Sequence, residues 1–175
     1  MSSFDIAIPI VFKWESRTGG GKEGIIYNNP DDHGGTTNDF GITLKLLQSI
    51  TSTATIDELK SMTREQAVFI YKKYFWLPNR YAEIKNQDIA IKVFDISVNM
   101  GAKNANICLQ RAVRAASDNS VVLIEDGVIG IKTLTAVNNY GDIYLYGALK
   151  SEIAGMYRSF KQPANINGWL NRAYS

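Results

Sequence analysis

Carboxylates and hydroxyls lie on both sides of a glycine-rich stretch near the start of the chain. Glu15 closes an apolar segment with helical spacing, and Asp31, Asp32, Thr36 and Thr37 follow after the glycines. A carboxyl group that stays protonated can act as a general acid, and a second carboxylate can attack or can activate water. Cleavage of a glycosidic bond needs a proton donor and usually a second carboxylate as well.

Glu15 stands where an acid with a raised pKa is expected. It follows Trp14 at the C-terminal end of a helix predicted over residues 4–15. The negative end of the helix dipole disfavours an ionised carboxylate, and an aromatic neighbour excludes water.

The partner of Glu15 stays open at this level. Either Asp31 or Asp32 would supply the second carboxylate, and either Thr36 or Thr37 would hold a water molecule. The same pattern fits a surface glutamate followed by turn-forming aspartates, because spacing does not show that these groups meet.

Helices must position these residues, since helical periodicity dominates the chain after Gly41. Residues 16–40 instead hold most of the turn-forming residues, with a strand-like stretch at 25–27, and predict a glycine-rich loop with a β-hairpin. Further helices are predicted near residues 43–47, 56–62, 63–77, 89–100, 105–116, 133–137, 143–160 and 169–170. The expected fold class is mainly α (α+β), with one small N-terminal hairpin or loop region.

Composition limits the classes of function that fit this chain. The chain has 175 residues, of which 45% are hydrophobic, and a formal net charge of +2 without a run of Lys or Arg, which argues against nucleic-acid binding. No stretch approaches the ~20 apolar residues of a membrane span. Cys108, the single cysteine, lies in an apolar helical pattern and is predicted to be a buried thiol. With His33 as the single histidine, the sequence predicts neither a zinc site nor another cofactor.

Segment 13–43 resembles glycoside hydrolase family 108, the N-acetylmuramidase family often found in phage endolysins. The matching pieces are Trp14-Glu15, Asn29-Pro30-Asp31-Asp32, Gly34-Gly35, Thr37-Asn38 and Gly41-Ile42-Thr43. The later part of the chain resembles the peptidoglycan-binding region that accompanies this family. Its matching residues are Asp95, Val98, Asn99, Gly101, Leu109, Gln110, Asp126, Gly127, Gly130, Thr133, Gly168, Trp169 and Arg172.

The resemblance implies a lysozyme-like fold and cleavage of the β-1,4 bond between N-acetylmuramic acid and N-acetylglucosamine. Glu15 matches the catalytic glutamate, which is the general acid. By analogy, Asp32 and Thr37 match the residues that flank the glycine pair and surround the attacking water. The whole chain, 1–175, is then one lysozyme-like domain, with a catalytic region over 1–88 and a helical peptidoglycan-binding-like region over 89–175 packed on it.

Five residues are predicted to bind the glycan: Gly34, Gly35, Asn38, Trp76 and Asn99. The two glycines either permit a positive φ or let the backbone approach a sugar closely. Trp76 belongs either to the core or to a sugar-stacking edge. Asn99 either caps a neighbouring loop or contacts substrate.

The chain departs from the family pattern at three places. An insertion, SRTGGGKEG, follows Glu15 and leaves Glu23 as a rival acid. His33 replaces a proline, and TTND carries one residue more than expected before Gly41, so Thr36 and Thr37 could exchange roles. An insertion beside the catalytic glutamate also leaves a second function open, that of a non-catalytic wall-binding or secretion-assisting protein.

The expected partner is the peptidoglycan glycan strand, with no nucleic acid and no membrane, and the expected state is a monomer. The N-terminus carries Asp5 and no leading Lys or Arg, unlike a secretory signal. We therefore expect the protein to be made in the cytoplasm and to act at the periplasm or cell wall after release.

Overall fold

The computed structural model describes residues 1–28, 35–140 and 143–175. The chain forms two compact units, a smaller one of residues 8–73 and a larger one of residues 1–7 and 74–175. This division by compactness differs from the functional division predicted after residue 88, which stays a prediction. Within the part of the chain that is described, no helix combines the length and apolar character needed to cross a membrane.

Helices make up most of the larger unit, and the smaller unit combines helices with one antiparallel hairpin near the N-terminus. In chain order the elements are α1 (Phe4–Glu15), β1 (Ile26–Asn28), β2 (Thr36–Asn38), α2 (Leu44–Ile50), α3 (Ile56–Lys60), α4 (Arg64–Tyr71), a π-helical turn (Lys72–Trp76), a 3₁₀ turn (Tyr81–Glu83), α5 (Gln87–Met100), α6 (Ala102–Ala116), α7 (Ile131–Asn139), α8 (Ile143–Ser159) and α9 (Ile166–Tyr174). The mainly α architecture predicted from periodicity is confirmed. The α-helix predicted to run on to Pro78 instead gives way to the wider π-turn after Tyr71.

Helix α1 is amphipathic, as its sequence predicts. Phe4, Ile8, Val11 and Phe12 are all buried. Pro9 lies inside the helix rather than in its first turn, on the exposed side. Its ring nitrogen has no hydrogen to donate to the preceding turn, so the apolar face has to stabilise this helix.

In the smaller unit, aromatic rings fix the end of α1. The Phe12 ring lies 5.6 Å from that of Phe40 and 5.9 Å from that of Tyr71, which come from the loop before α2 and from α4. Strands β1 and β2 pair with Tyr27 opposite Thr37. The loop before α2 and the end of α4 therefore pack directly against the C-terminal half of α1.

Side-chain caps start the three short helices that follow the hairpin. Thr43 caps α2, and its side chain accepts a hydrogen bond from the Leu46 amide. Thr55 with Glu58, and Thr63 with Gln66, form complete capping boxes on α3 and α4. Each cap satisfies backbone amides that have no partner within the helix, which matters most for helices of this length.

In the larger unit, α6 packs against α5 and α8, and α8 packs against α9. Trp76 is 1% exposed and is surrounded by the rings of Phe4, Tyr81 and Phe94, at centroid distances of 5.7, 5.9 and 5.2 Å. These edge-to-face contacts make Trp76 the centre of an aromatic cluster.

Cys108 is a buried thiol, as predicted. It lies on α6 with no exposed surface, and burial raises the pKa of its thiol to about 12. A thiol with so high a pKa stays protonated at neutral pH, so it does not act as a nucleophile.

A buried ion pair joins α5 to α9. Arg172 Nη2 lies 2.7 Å from Asp95 Oδ1, and Arg172 Nε donates to Asp95 Oδ2 at 3.2 Å. Lys92, also on α5, donates to the carbonyl oxygen of Arg172 at 3.0 Å, and burial lowers the pKa of this lysine to about 8 despite the opposing charge of Asp95. These bonds attach the C-terminal helix to the rest of the larger unit.

We expect Arg172→Met to lower the free energy of unfolding by about 3–5 kcal/mol, because it leaves the Asp95 carboxylate buried without its cation. The matched control is Arg111→Met, which removes an exposed pair with Glu125 and should cost about 0–1 kcal/mol. Urea denaturation followed by circular dichroism measures both. Equal losses in the two variants would contradict the importance of the buried pair.

Candidate functional site

Glu15 is the last residue of α1, and its side chain is partly buried. Its Oε1 atom is shielded from solvent. The backbone of Gly41 lies directly against this side chain, because a Cβ atom built at Gly41 would stand 2.6 Å from Glu15 Cβ and 3.0 Å from Tyr71 Oη. The predicted acid is thus held at the border between helix and hairpin.

Gly41 belongs to a tight turn over residues 38–42 that Asn38 organises. Asn38 Oδ1 accepts from the amides of Phe40 and Ile42, at 3.1 and 3.0 Å, and its Nδ2 donates to the carbonyl oxygen of Leu59 at 3.4 Å. The Asn38 side chain is 3% exposed. In this structure it therefore shapes the turn beside Glu15, and its predicted contact with substrate stays a prediction.

The two candidate threonines lie on β2, at the other end of this turn. Thr37 pairs with Tyr27 and forms an isolated bridge to Thr43, which brings the two ends of the turn together. Thr36 donates its hydroxyl hydrogen to Asn28 Oδ1 at 2.8 Å. This bond uses the single hydrogen of the Thr36 hydroxyl, but the oxygen can still accept, so both Thr36 and Thr37 stay candidates to hold a water.

Asp39 is a central residue that the sequence analysis missed. It is fully buried, and its carboxylate accepts hydrogen bonds from the Ser16 hydroxyl at 3.0 Å and from the Thr18 hydroxyl. The Tyr27 hydroxyl donates to it at 2.9 Å. An aspartate in a turn-like TTND stretch is an ordinary turn former, so no local signal marked it.

The pKa of Asp39 is lowered. Burial alone would raise it, but the hydrogen bonds from Thr18, Tyr27, Ser16 and the Lys22 amide stabilise the ionised form more strongly. Asp39 is therefore an anion at neutral pH and acts as an acceptor, not as an acid.

Glu23, the rival acid, has a different environment. It is exposed, and its Oε1 accepts from the backbone amide of Arg64 at 3.0 Å, at the start of α4. An exposed carboxyl group lacks the shielding from solvent that Glu15 Oε1 has. This contrast favours Glu15.

Residues 29–34 lie outside the described residues, and these include Asp31, Asp32, His33 and Gly34. The partner carboxylate therefore stays a prediction. Gly35 is exposed with a φ of +66°, a value that favours glycine. Within the described part of the chain, no three His, Cys, Asp or Glu side chains gather as a metal site would require.

The two remaining candidates lie in the larger unit. The burial of Trp76 favours the core interpretation, since its ring offers no open face to a sugar. Asn99 is exposed and accepts a hydrogen bond from the Tyr157 hydroxyl at 2.7 Å, which joins α5 to α8. Its predicted contact with substrate stays a prediction.

Several residues of the peptidoglycan-binding-like pattern form hydrogen bonds with one another. Gln110 Nε2 donates to Asp126 Oδ1 at 2.8 Å, and Gln110 Oε1 accepts from the Gly127 amide at 3.0 Å. A Cβ atom at Gly127 would stand 2.8 Å from the Lys103 carbonyl oxygen, so only glycine fits there. These residues hold the turn that precedes α7, which is a structural role.

Comparison with protein families supports the resemblance over part of the chain. Residues 20–101 match the model of the family Glycosyl hydrolase 108. This similarity to a family of glycosyl hydrolases covers a little under half of the chain. The matched segment includes Glu23 and Thr37 and begins after Glu15.

A solved structure extends the likeness to nearly the whole chain. The structure of SagA from Brucella abortus is 27% identical, with a TM-score of 0.74, and the match covers 98% of this chain and 89% of that one. No curated protein matches this chain. The predicted lysozyme-like fold, mainly α with a small N-terminal hairpin, is thereby confirmed.

Gly41→Ala should disturb the site more than Gly24→Ala does. Both glycines have a positive φ, +80° and +76°, but only the new Cβ atom at residue 41 would meet Glu15. We expect Gly24→Ala to cost about 1 kcal/mol through backbone strain, and Gly41→Ala about 1–3 kcal/mol more through overlap. Thermal denaturation measures the difference, and equal costs would contradict the close approach.

The contribution of Asp39 to stability should depend on pH. Because its folded pKa lies below that of an unfolded aspartate, this contribution is full above about pH 4 and is lost as the pH falls through the folded pKa. The gap in unfolding free energy between wild type and Asp39→Asn should therefore narrow in acid. Urea denaturation at a series of pH values tests this, and a constant gap would argue against it.

Proposed function

We propose that the protein is an N-acetylmuramidase that hydrolyses the β-1,4 bond between N-acetylmuramic acid and N-acetylglucosamine in peptidoglycan. The observation that carries the proposal is the placement of Glu15. Its carboxyl group lies at the C-terminal end of α1, with Oε1 shielded from solvent, and the Cβ and Cγ atoms of its side chain lie against the Gly41 backbone. Shielding and the helix dipole both favour the protonated form that a general acid needs.

In the proposed reaction, Glu15 gives its proton to the leaving glycosidic oxygen as the bond to the muramic acid carbon breaks. A water molecule completes the hydrolysis at that carbon. Asp32 would activate or position this water, and Thr37, on the strand next to the Glu15 turn, would hold it. The family match supports a glycan as the substrate class.

The location proposed for this reaction is the cell wall, reached after release from the cytoplasm. The net charge of +2 is compatible with weak attraction to an anionic wall polymer. A cleavage assay on isolated walls therefore tests substrate and function together.

Glu15→Gln should abolish cleavage while leaving the fold intact, because the amide is nearly isosteric but has no acidic proton to give. The assay follows turbidity and new reducing ends from purified Gram-negative sacculi. The matched control is Glu23→Gln, which makes the same chemical change at an exposed glutamate and should retain activity.

Each other outcome points elsewhere. Loss of cleavage in Glu23→Gln, with retention in Glu15→Gln, would transfer the acid to Glu23. Binding to sacculi without new reducing ends, in the wild type as well, would reject the enzyme and support a non-catalytic wall-binding protein.

A further inference from the structure

The residue after Glu15 is tied to the turn that contacts Glu15. Ser16 directly follows α1, and its amide donates to the Phe12 carbonyl oxygen at 3.0 Å. The residue is 7% exposed. Its hydroxyl hydrogen goes to Asp39 Oδ2 at 3.0 Å. Because a hydroxyl has a single hydrogen, this donation leaves the Ser16 oxygen free to act as an acceptor.

The glycine-rich loop closes around that oxygen. The amides of Thr18, Gly20 and Gly21 donate to Ser16 Oγ at 3.0, 3.3 and 2.9 Å. Asp39 collects two further amides from the same loop, those of Arg17 at 3.1 Å and Lys22 at 2.9 Å. The Ser16 hydroxyl and the Asp39 carboxylate thus hold the loop in place by accepting hydrogen bonds from its backbone amides.

Contacts on the other side keep the loop in place. Arg64, at the start of α4, donates from Nη1 to the Gly20 carbonyl oxygen at 2.6 Å, and its guanidinium lies 4.7 Å above the Phe12 ring. Gly21 lies so close to the Phe40 ring that a Cβ atom there would overlap it. The loop is therefore fixed between α1, α4 and the turn.

We propose that Asp39 is the positioning residue for Glu15. Asp39 and Gly41 belong to one turn, so a single rigid element holds both the Glu15 side chain, through Gly41, and the following residue, through Ser16. A carboxylate suits this role because it accepts several hydrogen bonds at once, and charge-assisted bonds are the stronger ones. The proposal rests on the proposed function, since it assigns Glu15 as the acid.

Two of the three sequence departures then have one explanation. The insertion follows Glu15, and the extra residue lies in TTND, the stretch that contains Asp39. Without further contacts, an inserted loop would leave the end of α1, which carries Glu15, poorly fixed. Asp39 accepts hydrogen bonds from this loop and so connects it to the turn over residues 38–42. The insertion is compatible with catalysis, because Asp39, which binds the inserted loop, lies in the same compact unit as Glu15.

Asp39→Asn should lower kcat by roughly 10- to 100-fold on solubilised glycan strands, since small displacements of a catalytic group have effects of that size. KM should change less than about twofold, because uniform substrate binding is not removed. Ser16→Ala should act in the same direction, and Tyr27→Phe more weakly. The double variant with Asp39→Asn and Ser16→Ala should lose less than the product of the single effects.

The matched control is Asp57→Asn, the same chemical change at an exposed position of the same unit. It should leave kcat and KM at their wild-type values. Circular dichroism and thermal unfolding identify the variants that fold. If Asp39→Asn does not fold, Ser16→Ala and Tyr27→Phe decide the question.

A measurement without substrate separates this inference from the proposed function. The carboxyl carbon of Glu15 gives an NMR signal that Glu15→Gln identifies by its loss. This signal should move in Asp39→Asn and Ser16→Ala and stay in place in Asp57→Asn. An unmoved signal in folded Asp39→Asn and Ser16→Ala, or an unchanged kcat in an active protein, overturns the positioning role. A wild type that releases no reducing ends rejects the muramidase alone, and the NMR signal then decides the role of Asp39.

Discussion

The close approach of the Gly41 backbone to the Glu15 side chain is the constraint on which the candidate site depends. No side chain fits at residue 41, so the turn has to carry glycine there. The turn is stabilised by the buried side chain of Asn38, whose Oδ1 accepts hydrogen bonds from the backbone amides of Phe40 and Ile42. A helix end, a hairpin and a tight turn are thereby brought to one carboxyl group.

Hydrogen bonding to buried side chains replaces regular structure around this point. The loop after Glu15 has many glycines, and such a segment loses much conformational entropy when it becomes ordered. Asp39 and Ser16 offset that cost by accepting the amides of the loop in a shielded place. The larger unit uses polar groups in the same way, where Asp95 and Arg172 attach α9.

Local patterns predicted much of the fold and the position of one candidate site residue, Glu15. The apolar face of α1 and the helix starts near Thr43 and Thr63 were predicted correctly, because each depends on residues within one or two turns of the same helix. The place of Glu15 at the end of α1 was predicted for the same reason, since a helix end is a local feature. Trp76 shows the opposite case: an aromatic residue near a helix end reads alike whether it faces solvent or, as here, the core.

The sequence by itself determined the succession of helices, the hairpin and the place of Glu15 at the end of α1, because periodicity and capping act over short distances along the chain. Only the tertiary structure showed how Glu15 and Glu23 differ in burial and in the helix end that each one meets. It alone revealed Asp39, whose donors at Ser16 and Lys22 are distant in sequence. Hydrogen bonds between distant segments leave no periodic trace, so folding has to bring the partners together before their role can be seen.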